Sequence, residues 1–200
     1  MKFVITIGRE YGSGGRFIGR LVAERLGIPF YDSELLVKAA KDSGLSEAVF
    51  KSFDEKKDGF LGSGIGLYSY DMTLSQKVFL AQFDTIKKIA AEESCVIVGR
   101  CADYVLKDYP NLVSVFVCAP MGDKIDRAVK YYGVNPDKAE NIIAKYDKKR
   151  KSYYNFYTDR EWGKASNYDL CINSRVGVDS AVDAIEAYVR RRFGLKKEDK

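Results

Sequence analysis

A short apolar run, broken by a cluster of glycines and followed by an amphipathic helix, is the feature that most narrows what this chain can become. Phe3, Val4, Ile5 and Ile7 form a largely β-branched run, the mark of a strand buried on both faces of a parallel sheet. Gly8, Gly12, Gly14 and Gly15 then fall close together. Without Cβ atoms there, backbone N–H groups can crowd inward around an anion. From Arg16 the period turns helical, with Phe17, Ile18, Leu21, Val22 and Leu26 on an apolar stripe beside a basic face that includes Arg25. Gly27 and Pro29 end the helix.

Strand, glycine loop and helix in this order are the context of a phosphate-binding loop. The plain alternative is a tight strand-to-helix turn that holds no ligand. The sequence departs from the pattern G-x-x-x-x-G-K-[ST] in having neither lysine nor hydroxyl after Gly14-Gly15. Arg16 is the nearest replacement and Arg9 the second, and arginine binds phosphate as a planar fork rather than a point charge. Ser13 is the loop hydroxyl left for magnesium.

Composition removes several chemistries. The chain of 200 residues has no histidine, which excludes Ser-His-Asp catalysis, a histidine general base and histidine-held metal. Its four cysteines lack C-x-x-C spacing and read as reduced, mostly buried thiols. Lys and Arg number 33 against 28 Asp and Glu, for a net charge of +5. That balance suits an anionic small molecule, and it falls short of a nucleic-acid footprint. No apolar run is long enough to span a membrane and no signal peptide is read, so the expected compartment is the cytosol.

Along the chain, strands are expected at Phe30-Tyr31, Cys95–Val98, Val113–Val117 and Tyr168–Ile172, alternating with helices. Asp32 follows the second strand, either as a helix N-cap or, beyond a strand's carboxyl end, as a ligand-facing carboxylate. Helical stretches cover Glu34–Ser43, Leu45–Lys57 and Thr73–Ala91. Asp58–Tyr70 shows neither period and reads as a mobile loop near the substrate or as a plain connector. Gly99-Arg100 follows the third strand, where the arginine suits either phosphate binding or a structural ion pair. Helices follow at Met121–Tyr132, carrying Arg127, and from Asn135-Pro136 onward. The latter runs into a polar stretch with Lys148, Lys149, Arg150 and Lys151 among Tyr153, Tyr154, Tyr157 and Trp162. That stretch is too charged for core and reads as a lid over phosphates or a solvated face with aromatic anchors. A last helix carries Ala181, Val182, Ile185 and Val189. The alternation predicts an α/β fold with a five-stranded parallel sheet.

Three segments, IGREYGSGGRFIGRLVAERLGIPFYDSELL, VIVGRCADYVL and DKKRKSYYNFYTDREWGKASNYDLCINS, together resemble the cytidylate kinase-like proteins, a branch of the P-loop nucleoside monophosphate kinases. The resemblance implies a P-loop kinase-like three-layer sandwich forming a single domain over 1–200. Its core would be 1–57, 73–134 and 165–194, its mobile acceptor-side loop 58–72 and its helical lid 135–164. By the same resemblance Gly12, Ser13, Gly14, Gly15 and Arg16 hold the donor phosphates. Asp32 and Arg100 face the acceptor nucleotide, and Arg127 and Arg150 clamp the transferred group. The loop threonine is replaced by Phe17, and the acidic residue after Gly-Arg by Cys101. The expected activity is transfer of the γ-phosphoryl group of ATP, with Mg2+, to a small acceptor such as CMP. The alternative is a nucleotide-binding regulatory module without turnover, motivated by the missing lysine.

Overall fold

The computed structural model describes residues 1–32 and 68–196. The apolar runs become strands β1 (Val4–Arg9), β2 (Phe30–Tyr31), β3 (Cys95–Val98), β4 (Leu112–Cys118) and β5 (Leu170–Asn173). Helices α1 (Gly15–Leu26), α2 (Tyr68–Glu92), α3 (Ala102–Val105), α4 (Met121–Tyr132), α5 (Pro136–Tyr157) and α6 (Val178–Phe193) are interleaved with them. The strands form one parallel sheet in the order β2-β3-β1-β4-β5, as the alternation predicted.

Because side chains alternate along a strand, the central strands need cover on both faces, and they have it. On one face Ile5, Ile7, Val96 and Val98 pack with Ile18 and Val22 of α1 and with Val182, Ile185 and Val189 of α6. On the other, Val4, Cys95 and Ile97 meet Ile86, Ile89 and Ala90 of α2 and Ala102 and Val105 of α3. Each such aliphatic side chain contributes roughly 1.5–3 kcal/mol on burial. Helix ends follow local chemistry. The Gly27 N–H caps α1 on the Ala23 and Glu24 carbonyls, and the Asn135 side chain accepts the Asp137 N–H ahead of Pro136 in α5. Among the described residues no helix is long and apolar enough to cross a membrane.

Several expectations need correction. Helix α2 begins at Tyr68 rather than Thr73, so its first turn occupies the end of the stretch read as a loop. The rest of that stretch, and Glu34–Ser43 and Leu45–Lys57, lie outside the described residues. The single turn α3 was not expected, because four residues carry too little periodicity. Cys171 is exposed, since β5 is an edge strand with alternating exposure. Tyr154, in the stretch read as too charged for core, is only 4 % exposed.

The topology fixes where a ligand can sit. From β1 the chain crosses to β2 on one side, and from β3 it crosses past β1 to β4 on the other. Ligands of open parallel sheets collect beyond the carboxyl ends of strands at such a reversal. Register places those ends together, with Ile7 opposite both Val98 and Val115, and Tyr31 opposite Ile97.

Candidate functional site

The loop from β1 to α1 is held in shape from three sides. Gly12 and Gly14 adopt φ of +75° and +80°, the left-handed region that penalises any side chain. A Cβ on Gly12 would also stand 2.6 Å from the Lys124 carbonyl oxygen, so α4 packs against the loop backbone itself. The buried Lys124 ammonium reaches Glu10 at 3.2 Å and Asp147 at 3.3 Å. Asp147 of α5 accepts the Tyr11 N–H at 2.6 Å, and Glu10 accepts the Ala119 N–H at 3.1 Å. Burial lifts the Asp147 carboxyl above its ordinary range, opposed by the Tyr11 N–H and by Lys124. One ammonium thus ties together the loop, the end of β4 and α5.

Ser13 and Arg127 brace the same loop. The Ser13 hydroxyl is wholly buried, donates to the Glu10 carbonyl at 2.9 Å and accepts the Gly15 N–H at 3.3 Å. A hydroxyl turned into its own loop does not fit the role of a magnesium ligand. Arg127 donates to the carbonyls of Gly12 and Ser174, each at 3.3 Å, and the Ser174 hydroxyl donates to the Ser13 carbonyl at 2.7 Å. Arg127 therefore joins the loop to the segment after β5 with one donor on each terminal nitrogen.

Above this braced loop the arginines gather. Arg9 ends β1 and Arg100 lies just past β3, while Arg150 extends from α5 to donate to the Arg9 carbonyl at 3.0 Å. A pocket of about 190 Å³ opens here, lined among others by Arg9, Tyr11, Gly14, Gly15, Arg16 and Arg150. Arg16, largely exposed, lies at the edge of this pocket and pairs with the buried Asp32 just past β2. Among the described residues the guanidinium groups of Arg9 and Arg100 donate no hydrogen bond and form no ion pair, whereas Arg16, Arg127 and Arg150 all have protein partners. Burial first, then repulsion from Arg150, Arg100 and Arg16 against the pull of Asp32, pushes the Arg9 guanidinium down to about 9. It still carries its charge at neutral pH. Burial likewise lowers Arg150. Asp32 and Asp147 offset part of this charge through Arg16 and Arg150, and the remaining positive charge on Arg9 and Arg100 suits an anionic ligand.

Backbone strain sets Arg100 in place. Gly99, Arg100 and Cys101 follow one another with φ of +79°, +58° and +54°. A left-handed non-glycine residue costs of order 1–3 kcal/mol and persists only where its surroundings fix it. Here the Gly99 N–H is held by the Ile7 carbonyl at 3.0 Å, and the turn closes into α3 through the Ala102 N–H on the Gly99 carbonyl at 3.1 Å. Behind it Tyr154 of α5 donates to the buried Asp103 at 2.6 Å. Burial raises the Asp103 carboxyl, against that hydrogen bond. Phe79 of α2 stacks on Tyr157 with centroids 4.1 Å apart. The basic helix is thus anchored at its carboxyl end by aromatic packing and at its middle by Asp147.

The structure brings Gly12, Gly14, Gly15, Arg16, Arg100, Arg127, Arg150 and Asp32 to one edge of the sheet, with Ser13 beneath them. Sequence reading passed over Lys124, Glu10, Asp147 and Asp103, and ranked Arg9 behind Arg16. No spacing links these residues, which meet only through the crossovers. The one available signal was a basic residue closing a buried strand, as Arg9 does.

A family model described as the cytidylate kinase-like family matches residues 4–176. A cytidylate kinase from Methanobrevibacter smithii is 23% identical over 172 residues, covering 86% of this chain and 88% of that protein. An uncharacterized protein from Eubacterium ventriosum, solved by crystallography, is 36% identical with a TM-score of 0.74, covering 94% of this chain and 98% of that one. A gluconokinase from Sinorhizobium meliloti matches at 14% identity and a TM-score of 0.58, with 95% of this chain and 93% of that one covered. A shikimate kinase from Bacteroides thetaiotaomicron matches at 15% and 0.56, with 94% and 98% covered. At such identities these two bear on the fold alone, and the fold is that of the P-loop kinases.

Proposed function

The chain belongs to the cytidylate kinase-like family, and we propose that it moves the γ-phosphoryl group of ATP to a small phosphorylated acceptor, a nucleoside monophosphate such as CMP foremost. The observation that carries this reading is the pair of arginines, Arg9 and Arg100, whose guanidinium groups have no hydrogen bond or ion pair among the described residues, at the carboxyl edge of the sheet beside a glycine loop.

Phosphoryl transfer asks for positioning and charge neutralisation more than covalent chemistry, so a chain without histidine is equipped for it. The N–H groups around Gly12, Ser13, Gly14, Gly15 and Arg16 cradle the donor phosphates at the start of α1, where the helix dipole favours negative charge. Arg100 and Asp32 face the acceptor. An acceptor phosphate is already anionic at neutral pH, so its oxygen needs no base. It attacks the γ-phosphorus in line, the bond to the β,γ-bridging oxygen breaks, and ADP leaves. Arg150 stabilises the charge that develops on the transferred group, and Arg127 fixes the loop beneath it. An arginine in such a role is worth about 10³–10⁵ in rate in other phosphotransferases.

Magnesium binds mainly through phosphate oxygens and its own waters, with one or two carboxylates. Ser13 does not fit it, and Asp32, beside Arg9 and Arg16, is a carboxylate that would hold it through water. The four free thiols accord with a reducing cytoplasm.

The test is ADP release with magnesium and a panel of nucleoside monophosphates, run beside direct measurement of ATP affinity. Turnover accelerated by one monophosphate is the expected result. Tight ATP binding with release no faster than buffer for every acceptor would refute the transfer reading.

A further inference from the structure

We infer that Arg9 supplies the positive charge that the lysine of the phosphate-loop pattern supplies elsewhere, holding the terminal phosphate of the bound triphosphate, an inference that rests on the phosphotransferase reading. Laying G-x-x-x-x-G-K on this loop with Gly14 as its second glycine puts Gly15 at the lysine and Arg9 at the first glycine. The charge has changed ends of the loop, and the structure shows how the exchange fits. A Cβ on Gly15 would lie 2.6 Å from the Arg9 Cβ. The glycine in the lysine's place is therefore what lets the arginine side chain rise past the start of α1.

The second wall of its path is Gly99. A Cβ there would stand 2.0 Å from Arg9 Nη1, and the residue's φ of +79° is itself one that other side chains resist. The guanidinium thus lies between the loop that cradles donor phosphates and Arg100 on the acceptor side. That is the place through which a transferred phosphoryl group passes.

Arg16, the nearer candidate by sequence, is occupied differently. Its side chain is 55% exposed and committed to Asp32. Arg9 forms no ion pair among the described residues; Arg150, Arg100 and Arg16 repel it, and Asp32, already committed to Arg16, offsets only part of that repulsion. A guanidinium kept only for structure pairs with a carboxylate or carbonyls when it is removed from water. One placed mainly among like charges gains from an incoming anion.

The experiment is calorimetric titration of a non-hydrolysable ATP analogue, and separately of inorganic tripolyphosphate, into wild type, Arg9→Met, Arg9→Lys and Arg16→Met, with thermal unfolding of each protein alone. Loss of a charge-assisted hydrogen bond predicts that Arg9→Met weakens both ligands about ten- to a hundredfold. It should exceed the loss in Arg16→Met, and Arg9→Lys should recover part of it. Without ligand, Arg9→Met should unfold at a temperature no lower than wild type, because a like-charge contact has been relieved; a purely structural arginine predicts the opposite. Undiminished affinity in folded Arg9→Met, a larger loss in Arg16→Met, or an Arg9→Met protein that does not fold would each overturn the inference. A wild type that binds tripolyphosphate but not the nucleotide keeps Arg9 as a phosphate ligand and removes the nucleotide reading. A wild type that binds neither overturns both.

Discussion

Replacing Lys124 by methionine isolates the device that ties the loop to α5. The side chain is 8% exposed and contacts two carboxylates, Glu10 at 3.2 Å and Asp147 at 3.3 Å, that are themselves 25% and 16% exposed. Removing one partner of a buried ionic group costs roughly 3–5 kcal/mol, because the charges left behind stay desolvated. Glu10 keeps the Ala119 N–H and Asp147 keeps the Tyr11 N–H, which places the expectation at the lower end, about 3 kcal/mol. For a domain of this size that is a fall in melting temperature of about 6–12 °C. The pH dependence sharpens the test. Without the ammonium, the Asp147 carboxyl rises further above its unfolded value, so the folded state takes up protons as the pH falls and the penalty is relieved. Calorimetry at neutral pH and again near pH 5, about one unit above the ordinary Asp value, should show the gap to wild type narrowing on acidification. A second substitution, Asp147→Asn, should recover part of the loss. A drop below about 1 kcal/mol, the scale of an exposed pair, or a gap that widens in acid, would refute the reasoning.

Other consequences follow from the same geometry. Asp103 is held above its ordinary range by burial, so the wild type should lose stability as the pH rises from about 4, the usual Asp value, toward neutral. Asp103→Asn, which keeps an acceptor for the Tyr154 hydroxyl, should flatten that part of the melting-temperature profile; an unchanged slope would count against it. Gly12→Ala forces a side chain into a φ of +75° and to within 2.6 Å of the Lys124 carbonyl, and should reduce triphosphate affinity at least about tenfold, or 1.4 kcal/mol, in calorimetric titration. Wild-type affinity would show that the loop shape is immaterial to binding. Arg100→Ala should raise the acceptor's KM or lower kcat in the ADP-release assay; a loss confined to donor binding would reverse the assignment of sides.

The sheet was legible because its strands are buried on both faces and therefore read as unbroken apolar runs. Cys95–Val98 and Phe30–Tyr31 fall where the runs lie, and Met121–Tyr132 ends at its glycine. The carboxyl-edge residues were legible too, since a glycine loop, an Asp after β2 and a Gly-Arg after β3 can each be found by position along the chain. What escaped was everything decided by contacts across the fold. Tyr154 sits among charges in sequence, yet its helix turns it toward Asp103. Lys124 looked like one more surface lysine until α4 brought it between Glu10 and Asp147. Arg9 ranked second because distance along the loop favoured Arg16, while the structure sends Arg16 to Asp32 and leaves Arg9 facing the pocket.

The account rests on the arginine cluster as a seat for phosphates, and a crystal structure of the protein with a non-hydrolysable ATP analogue tests that most directly. The predicted result has the β- and γ-phosphate oxygens at hydrogen-bond distance, about 3 Å, from the N–H groups of residues 12–16 and from the Arg9 guanidinium, with Arg100 facing the γ-phosphate from the acceptor side. Phosphates bound away from the glycine loop, or Arg9 and Arg100 left without contact to them, would contradict it.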